Sequence, residues 1–283
     1  MFPEGRERDK MPPVTDVPPP PEPPQQPPSQ PPAPAAPPSP PAPPQPAYPA
    51  PLGAPAAPAL PPADRIRNAW QRRTESDYIF SFWTALGWTI LTCGIYAFYV
   101  IYQLIRRDRD HNMRRLEMLD AATTLAWEQT QARGVADELR PNFERIAPQL
   151  AILRNQTTQF RDPTIWLLIA IGATLLGASI VVPIIAYVLI DGDLITHDHA
   201  EGAIENELSQ IYTRLGAPIP APDPARLKGP HNYVGRIIAT VFTCGIYSLW
   251  WEYDIMTEGN RHFETNWRWE DHLAQSTQQL LAA

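Results

Sequence analysis

The chain has 283 residues, 36 of them proline, and a formal net charge of −7 at pH 7. This acidic balance, without a basic run interleaved with aromatic residues, argues against a nucleic-acid-binding protein. Two cysteines indicate neither a disulfide framework nor a cysteine zinc site. The sequence contains no Walker loop, GxSxG elbow, HExxH motif or Gly-rich dinucleotide turn, so we predict no catalytic residue, no cofactor and no enzymatic activity.

The N-terminal segment is rich in proline and has no apolar periodicity. Such a segment cannot bury enough apolar surface to offset the conformational entropy lost on ordering. We therefore predict a disordered tail with polyproline II character over residues 1–62. PxxP-type spacing in the tail could recruit a protein partner through an aromatic groove, but a passive spacer is the interpretation that we favour. Residues 63–77 follow as a short interfacial lead-in.

Three apolar segments follow, at 78–105, 164–190 and 233–256. The first two carry no charge and exceed the roughly 20 residues needed to cross a bilayer. The third has a shorter uncharged stretch, Ile237–Trp251, so re-entry into the bilayer is an alternative for it and for the first segment. We predict an all-α, multi-pass integral protein of a bacterial inner membrane, with three transmembrane helices. The sequence does not indicate which side of the membrane each end of the chain faces. The partners of the protein would be the lipid bilayer and, as an alternative, further copies of the chain.

Polar segments separate and follow these apolar runs. They are interpreted as a helical arm at 106–163, an amphipathic helix at 191–216, a Pro-rich linker at 217–232 and a C-terminal helix at 257–283. Apolar residues recur in them at helical spacing, for example Ile204, Leu208, Ile211 and Leu215. Such stripes predict helices that pack against one another outside the bilayer or lie on its surface.

A five-residue block occurs twice, 151 residues apart. With this offset, nine identities fall in the 32 positions from 89 to 120, which indicates a duplication. Small residues in the block would allow close helix contact, and its aromatic residues would lie at the headgroup level. We interpret the block as a packing and anchoring element formed by Thr92, Cys93, Gly94, Ile95 and Tyr96 and by Thr243, Cys244, Gly245, Ile246 and Tyr247.

A T-x-G-I-Y block in an apolar helix, followed by aromatic residues and a charged exit, resembles a family of bacterial integral-membrane domains of unknown function. The resemblance covers roughly residues 80–120 and 233–265. It implies helices embedded in a membrane, and it implies no activity for any residue.

A histidine follows each apolar run, at His111, His199 and His262. Imidazole and carboxylate groups can hold a divalent metal, and the candidate ligands are His197, His199, Glu201 and Glu205. A solvated acidic helix start is the interpretation that we favour. A site shared by three histidines is not expected, because successive transmembrane helices alternate in direction and would separate His199 from the other two.

These features predict a non-catalytic, membrane-anchored interaction or scaffolding protein. The alternative is a small oligomeric transporter or channel component. None of the apolar runs has the central ionisable residue that an ion or proton pathway normally shows.

Overall fold

The computed structural model describes residues 60–159, 161–224, 226, 229 and 231–282. The all-α prediction is confirmed for these residues, among which no strand occurs. Most of the predicted Pro-rich tail lies outside the described residues. The helices are α1 (Pro62–Gln71), α2 (Arg73–Ser76), α3 (Phe82–Leu91), α4 (Ile95–Ala132), α5 (Ala136–Thr158), α6 (Pro163–Leu175), α7 (Val181–Arg214), α8 (Tyr233–Phe242) and α9 (Ile246–Ala282).

Each apolar run forms two helices joined by a turn. The first run forms α3 and the start of α4, the second α6 and the start of α7, and the third α8 and the start of α9. Within the described part of the chain, no helix combines the length and the apolar character needed to cross a bilayer. The transmembrane helices predicted at 78–105, 164–190 and 233–256 are therefore wrong, and so is the predicted multi-pass location in a bacterial inner membrane.

The first copy of the repeated block forms the turn between α3 and α4. The hydroxyl of Thr92 donates to the carbonyl of Trp88 at 2.7 Å and accepts from the N–H of Tyr96 at 3.0 Å. Cys93 and Gly94 then adopt positive φ angles of 50° and 91°. An α-helix cannot continue through such left-handed residues. The threonine therefore ties together the end of one helix and the start of the next.

The second copy repeats this chemistry between α8 and α9. Thr243 donates to the carbonyl of Ala239 at 2.8 Å and accepts from the N–H of Tyr247 at 2.9 Å. Cys244 and Gly245 have φ angles of 49° and 94°. The duplicated block is thus a helix-ending turn, and the same two hydrogen bonds define it in both copies.

The two cysteines occupy the turns, where they are exposed. Neither side chain is therefore buried against a neighbouring helix, contrary to the interpretation of Cys93 and Cys244 as helix-packing positions. The middle apolar run lacks the five-residue block, and there Gly177, with φ 78°, supplies the left-handed residue.

The three long helices α4, α7 and α9 share a layered core. Five residues after each helix start lie Val100, Ala186 and Trp251, all at most 1% exposed. Twenty-seven residues after each start lie Ala122, Leu208 and Leu273, all fully buried. The residues buried between these apolar layers are largely polar. Each short helix, its turn and the long helix that follows are called a hairpin unit below: α3 with α4, α6 with α7, and α8 with α9. Equivalent positions of the three hairpin units therefore lie side by side.

Whereas α3 and α6 pack in the first apolar layer through Ala85 and Ala170, helices α1 and α5 pack around the second. The segment interpreted as an interfacial lead-in forms α1 and α2, and Ile66 and Ala69 of α1 are buried in this core. The apolar stripe of α5 is buried in the same cluster through Leu139, Ile146 and Leu153. Together they enclose the polar layer.

Candidate metal centre

Three histidines meet in the polar layer, one from each long helix. His111, His197 and His262 each lie sixteen residues after the first residue of α4, α7 and α9. Their ring centroids are 5.4, 5.2 and 5.9 Å apart. All three side chains are at most 1% exposed. The equal spacing from helix start to histidine brings the three imidazoles into one layer.

Glu201 adds a carboxylate to the three imidazoles. It lies one turn after His197, and its Oε1 is 3.2 Å from Nε2 of that histidine, while its Oε2 is 3.3 Å from Nε2 of His262. One ligand atom from each of these residues and from His111 can be chosen so that all lie within 4.8 Å of one another. Ligands at about 2.0–2.1 Å around a tetrahedral ion are separated by about 3.3 Å. The spacing of the four side chains therefore suits one such ion.

A carboxylate lies behind each of two imidazoles, with hydrogen-bond geometry at His111 but not at His262, whose Nε2 is 3.2 Å from Nδ2 of Asn266. Nδ1 of His111 is 3.0 Å from Oδ1 of Asp77, and Nδ1 of His262 is 3.1 Å from Oδ1 of Asp198. A carboxylate at one ring nitrogen fixes the ring and leaves the other nitrogen to bind a metal. Nε2 of His111 is buried and has no hydrogen-bond partner among the described residues. A buried polar atom of this kind needs an explanation, and a metal ligand is one.

The carboxylate of Glu201 is positioned in the same manner. It accepts hydrogen bonds from the guanidinium of Arg115 and from Nδ2 of Asn266, the latter at 2.9 Å. Burial raises the pKa of Glu201, but the charge of Arg115 and the neighbouring imidazoles lower it by more, so its pKa lies well below the usual range. Glu201 is therefore ionised, as a metal ligand must be.

Burial also sets the protonation of the imidazoles. It lowers the pKa of His111 to about 3 against the opposing effect of Asp77. Burial likewise lowers the pKa of His262 against the effect of Asp198. Both imidazoles are therefore neutral at pH 7, and the neutral form is the one that binds metals.

The buried network around the histidines has more carboxylates than guanidinium groups. Burial raises the pKa of Glu205, to about 7, although Arg226 and Arg115 lower it. Burial raises the pKa of Glu270 against its arginine partners in the same way. If all five carboxylates are counted as ionised and only the three guanidinium groups as charged, the formal charge is −2. A divalent cation would balance it, and so would protons on Glu205 and Glu270. The network consists of Asp77, Asp198, Glu201, Glu205 and Glu270 with Arg114, Arg115 and Arg226.

The four ligands considered from the sequence divide into two groups. His197 and Glu201 belong to the centre, and Glu205 supports it, with its Oε2 2.7 Å from Arg226. His199 is exposed on another face of α7. Two residues separate His199 from the centre by about 200° of helix rotation.

His199 does not join His111 and His262, as expected, but His197 does. The reason given for the separation is wrong. It assumed three crossings of a bilayer, whereas each apolar run turns back and the three long helices begin at one end of the bundle. His111 and His262 were already matched by the 151-residue offset. Counting the same number of residues from each turn does not select His197, because Gly177 lies 20 residues before it, whereas Gly94 and Gly245 lie 17 residues before His111 and His262. No sequence pattern points to Asp77, which lies between α2 and α3.

A second group of side chains, Asp191, His231 and Glu258, could also approach a metal. It contains one histidine, His231, whose Nδ1 lies 2.8 Å from the carboxylate of Asp191. The first group is therefore the better candidate, since three imidazoles converge there.

Comparison of the chain with protein-family models, with curated proteins and with solved structures found no match. The resemblance to a membrane-domain family therefore stays a prediction.

Proposed function

We propose that this chain is a non-catalytic metal-binding protein in which one divalent transition ion joins three helical hairpin units. The ligands are His111, His197, His262 and Glu201. The observation that supports this function is the convergence of three buried imidazoles, one from each unit, on a carboxylate that is itself held by Arg115 and Asn266.

The ligand set selects a class of ion. Imidazole nitrogen with one carboxylate oxygen suits first-row divalent ions, and Zn²⁺ takes four such ligands in a tetrahedral arrangement. Catalytic zinc sites keep one position open for water or substrate, whereas structural sites are closed. Here four protein ligands fill the coordination, and all are at most 1% exposed. A structural role follows from this closure.

The scaffolding role predicted from the sequence is retained as part of this proposal. A metal that binds only the folded chain adds its binding free energy to the free energy of folding. The bundle would then present its surfaces as one rigid body. A pull-down with the full chain and with a variant lacking residues 1–62 tests whether the Pro-rich segment recruits a protein partner.

The metal is tested by mass-spectrometric metal analysis of the full chain after dialysis against Zn²⁺. We expect about one Zn²⁺ per chain. The variant His197→Gln removes a ligand and should lose the ion. His199→Gln changes a histidine two residues away on the same helix, and it should retain one Zn²⁺ because this side chain is exposed. With Co²⁺ in place of Zn²⁺, the unchanged chain and His199→Gln should show the visible absorption of a four-coordinate site, and His197→Gln should not.

Three results would contradict the proposal. The first is a full chain that binds no stoichiometric metal. The second is equal metal content in the two variants, which would place the ion elsewhere. The third is a His197→Gln variant that is less stable while the full chain carries no metal, which would identify the centre as a hydrogen-bonding network alone.

A further inference from the structure

The turns of the three hairpins lie together at one end of the bundle. Val100, Ala186 and Trp251, near the starts of the long helices, belong to one buried apolar cluster. At the turns themselves, Cδ1 of Ile180 lies 3.1 Å from the position that a side chain on Gly245 would take. The hairpin turns and the helical residues next to them are called the tips below.

The tips expose large apolar side chains. Eight of these residues are between 68% and 87% exposed, namely Ile90, Leu91, Ile95, Leu175, Leu176, Val241, Phe242 and Ile246. Apolar patches of this kind mark a site of interaction with a protein or a membrane. They come from all three hairpins.

The apolar zone has a defined depth. The first charged residues of the outgoing helices are Arg106 in α4, Asp191 in α7 and Glu252 in α9. They lie eleven, ten and six residues after the helix starts. The incoming helices α3 and α8 have 10 residues each. Ten residues of helix span about 15 Å, and the hydrocarbon of one leaflet is roughly 15 Å thick. The charge-free length of the first two hairpins therefore matches one leaflet. The third hairpin is shorter, because Arg236 in α8 and Glu252 in α9 each lie six residues from the turn-side end of their helix.

Aromatic side chains lie toward the charged end of this zone. Trp83 is eight residues before Leu91, about 12 Å from the tip, and its side chain is exposed, as is that of Trp250. Tryptophan favours the boundary between hydrocarbon and headgroups, because its ring is apolar and its N–H is polar. The order of apolar tip, aromatic residues and first charges is that of an interfacial membrane segment.

The exposed apolar residues also continue along the outer sides of the short helices. Leu168 in α6 and Val234 in α8 are exposed, as is Trp83 in α3. A protein partner covers one face of a surface, whereas a leaflet surrounds everything inserted into it. The distribution over three separate helices favours the leaflet.

We propose that the three tips insert together into one leaflet of a phospholipid bilayer and do not cross it. The proposal concerns the end of the bundle opposite to the second apolar layer and does not depend on a metal in the centre. Insertion would remove the tip side chains from water, and the hydrophobic effect supplies the driving force.

The two cysteines of the chain provide a probe without any substitution. Cys93 and Cys244 are the only cysteines in the sequence, and both are exposed at the tips. With the full chain and vesicles of phosphatidylcholine and phosphatidylglycerol, we expect the protein to float with the vesicles. We also expect at least tenfold slower labelling of both thiols by a membrane-impermeant maleimide added outside.

A matched pair of variants locates the contact. Leu176→Asp combined with Phe242→Asp places charge on two tips and should reduce vesicle binding at least tenfold. Leu281→Asp changes an equally apolar, exposed residue in the last turn of α9, and binding should stay within twofold of the unchanged chain. Circular dichroism of each variant shows whether the helices are retained.

Four outcomes would overturn the proposal. They are no flotation of the unchanged chain, flotation with thiols that label at the full rate, equal flotation of the tip and control variants, and thiol protection by self-association without vesicles. Labelling by maleimide enclosed in the vesicle lumen would show that the tips cross the bilayer, and it would overturn the single-leaflet insertion.

Discussion

At the scale of single residues, burial decides which acids keep their protons. Asp108 on α4 is buried, and neither of its carboxylate oxygens has a hydrogen bond among the described residues. The nearest charge is Nε of Arg107 at 3.6 Å. Burial raises the pKa of Asp108 to about 7, although Arg107 lowers it. The folded chain therefore holds a proton that the unfolded chain releases near pH 4.

This raised pKa predicts a stability that falls as the pH rises. Between pH 4 and pH 7 the folded state binds more protons than the unfolded state, so the free energy of unfolding decreases with pH. Asp108→Asn mimics the protonated acid, and it should reduce this decrease by on the order of a few kcal/mol. Urea unfolding at pH 5, 6, 7 and 8 measures the free energy of unfolding of each variant and its dependence on pH. Asp110→Asn, on the same helix but less buried, should keep the original slope.

At the scale of elements, the repeated block converts an apolar run into a hairpin. Its threonine satisfies backbone groups on both sides of the turn, and its glycine takes a φ angle that other residues adopt with strain. The periodicity of the run predicted a helix on either side. It could not show the interruption, because every residue around Cys93 and Gly94 is small or apolar and fits a continuous helix as well.

Two glycine substitutions in the same hairpin should have opposite effects. Gly94→Ala places a side chain on a residue with φ 91° and should lower the free energy of unfolding by about 1–2 kcal/mol. Gly87→Ala lies inside α3 with open space around it and should raise it by roughly 0.5–1 kcal/mol. Urea unfolding followed by tryptophan fluorescence gives both values. Equal effects of the same sign would contradict the assigned role of Gly94.

The sequence predicted the apolar stripes of the core correctly, but it did not predict how the helices that carry them are arranged. Ile204, Leu208, Ile211 and Leu215 are all buried in one cluster, as their spacing indicated. The centre could not be assembled from the sequence, because its histidines are 86 and 65 residues apart and meet only once the runs turn back. The hydrophobicity of an apolar run gives its length, but the backbone angles at the turn decide whether it forms one helix or a hairpin of two.

At the scale of the whole molecule, a bound ion would act as a cross-link between distant parts of the chain. His111, His197 and His262 belong to three hairpin units that share no other covalent connection than the backbone. An ion that binds only the folded chain stabilises it by about 2.7 kcal/mol at a free concentration one hundred times its Kd.

The Tm of the full chain should therefore rise with Zn²⁺ concentration. The variant His262→Gln removes the ligand that the third hairpin unit supplies, and its Tm should not rise with Zn²⁺ concentration. His272→Gln changes an exposed histidine ten residues further along α9 and should respond like the unchanged chain. Calorimetric scans at several Zn²⁺ concentrations measure the shift. A Tm that is independent of Zn²⁺ in the full chain would contradict the cross-link.

The register of the three units has an evolutionary consequence. Twenty residues after each helix start lie Arg115, Glu201 and Asn266. The carboxylate of Glu201 accepts hydrogen bonds from the cation and from the neutral amide. Three separate copies of one hairpin would place three identical side chains there, and like charges so close and so deeply buried would repel. Joining the units in one gene allows each copy to mutate independently. The complementary trio at the centre of this protein is a form of asymmetry that three identical copies of one hairpin could not encode.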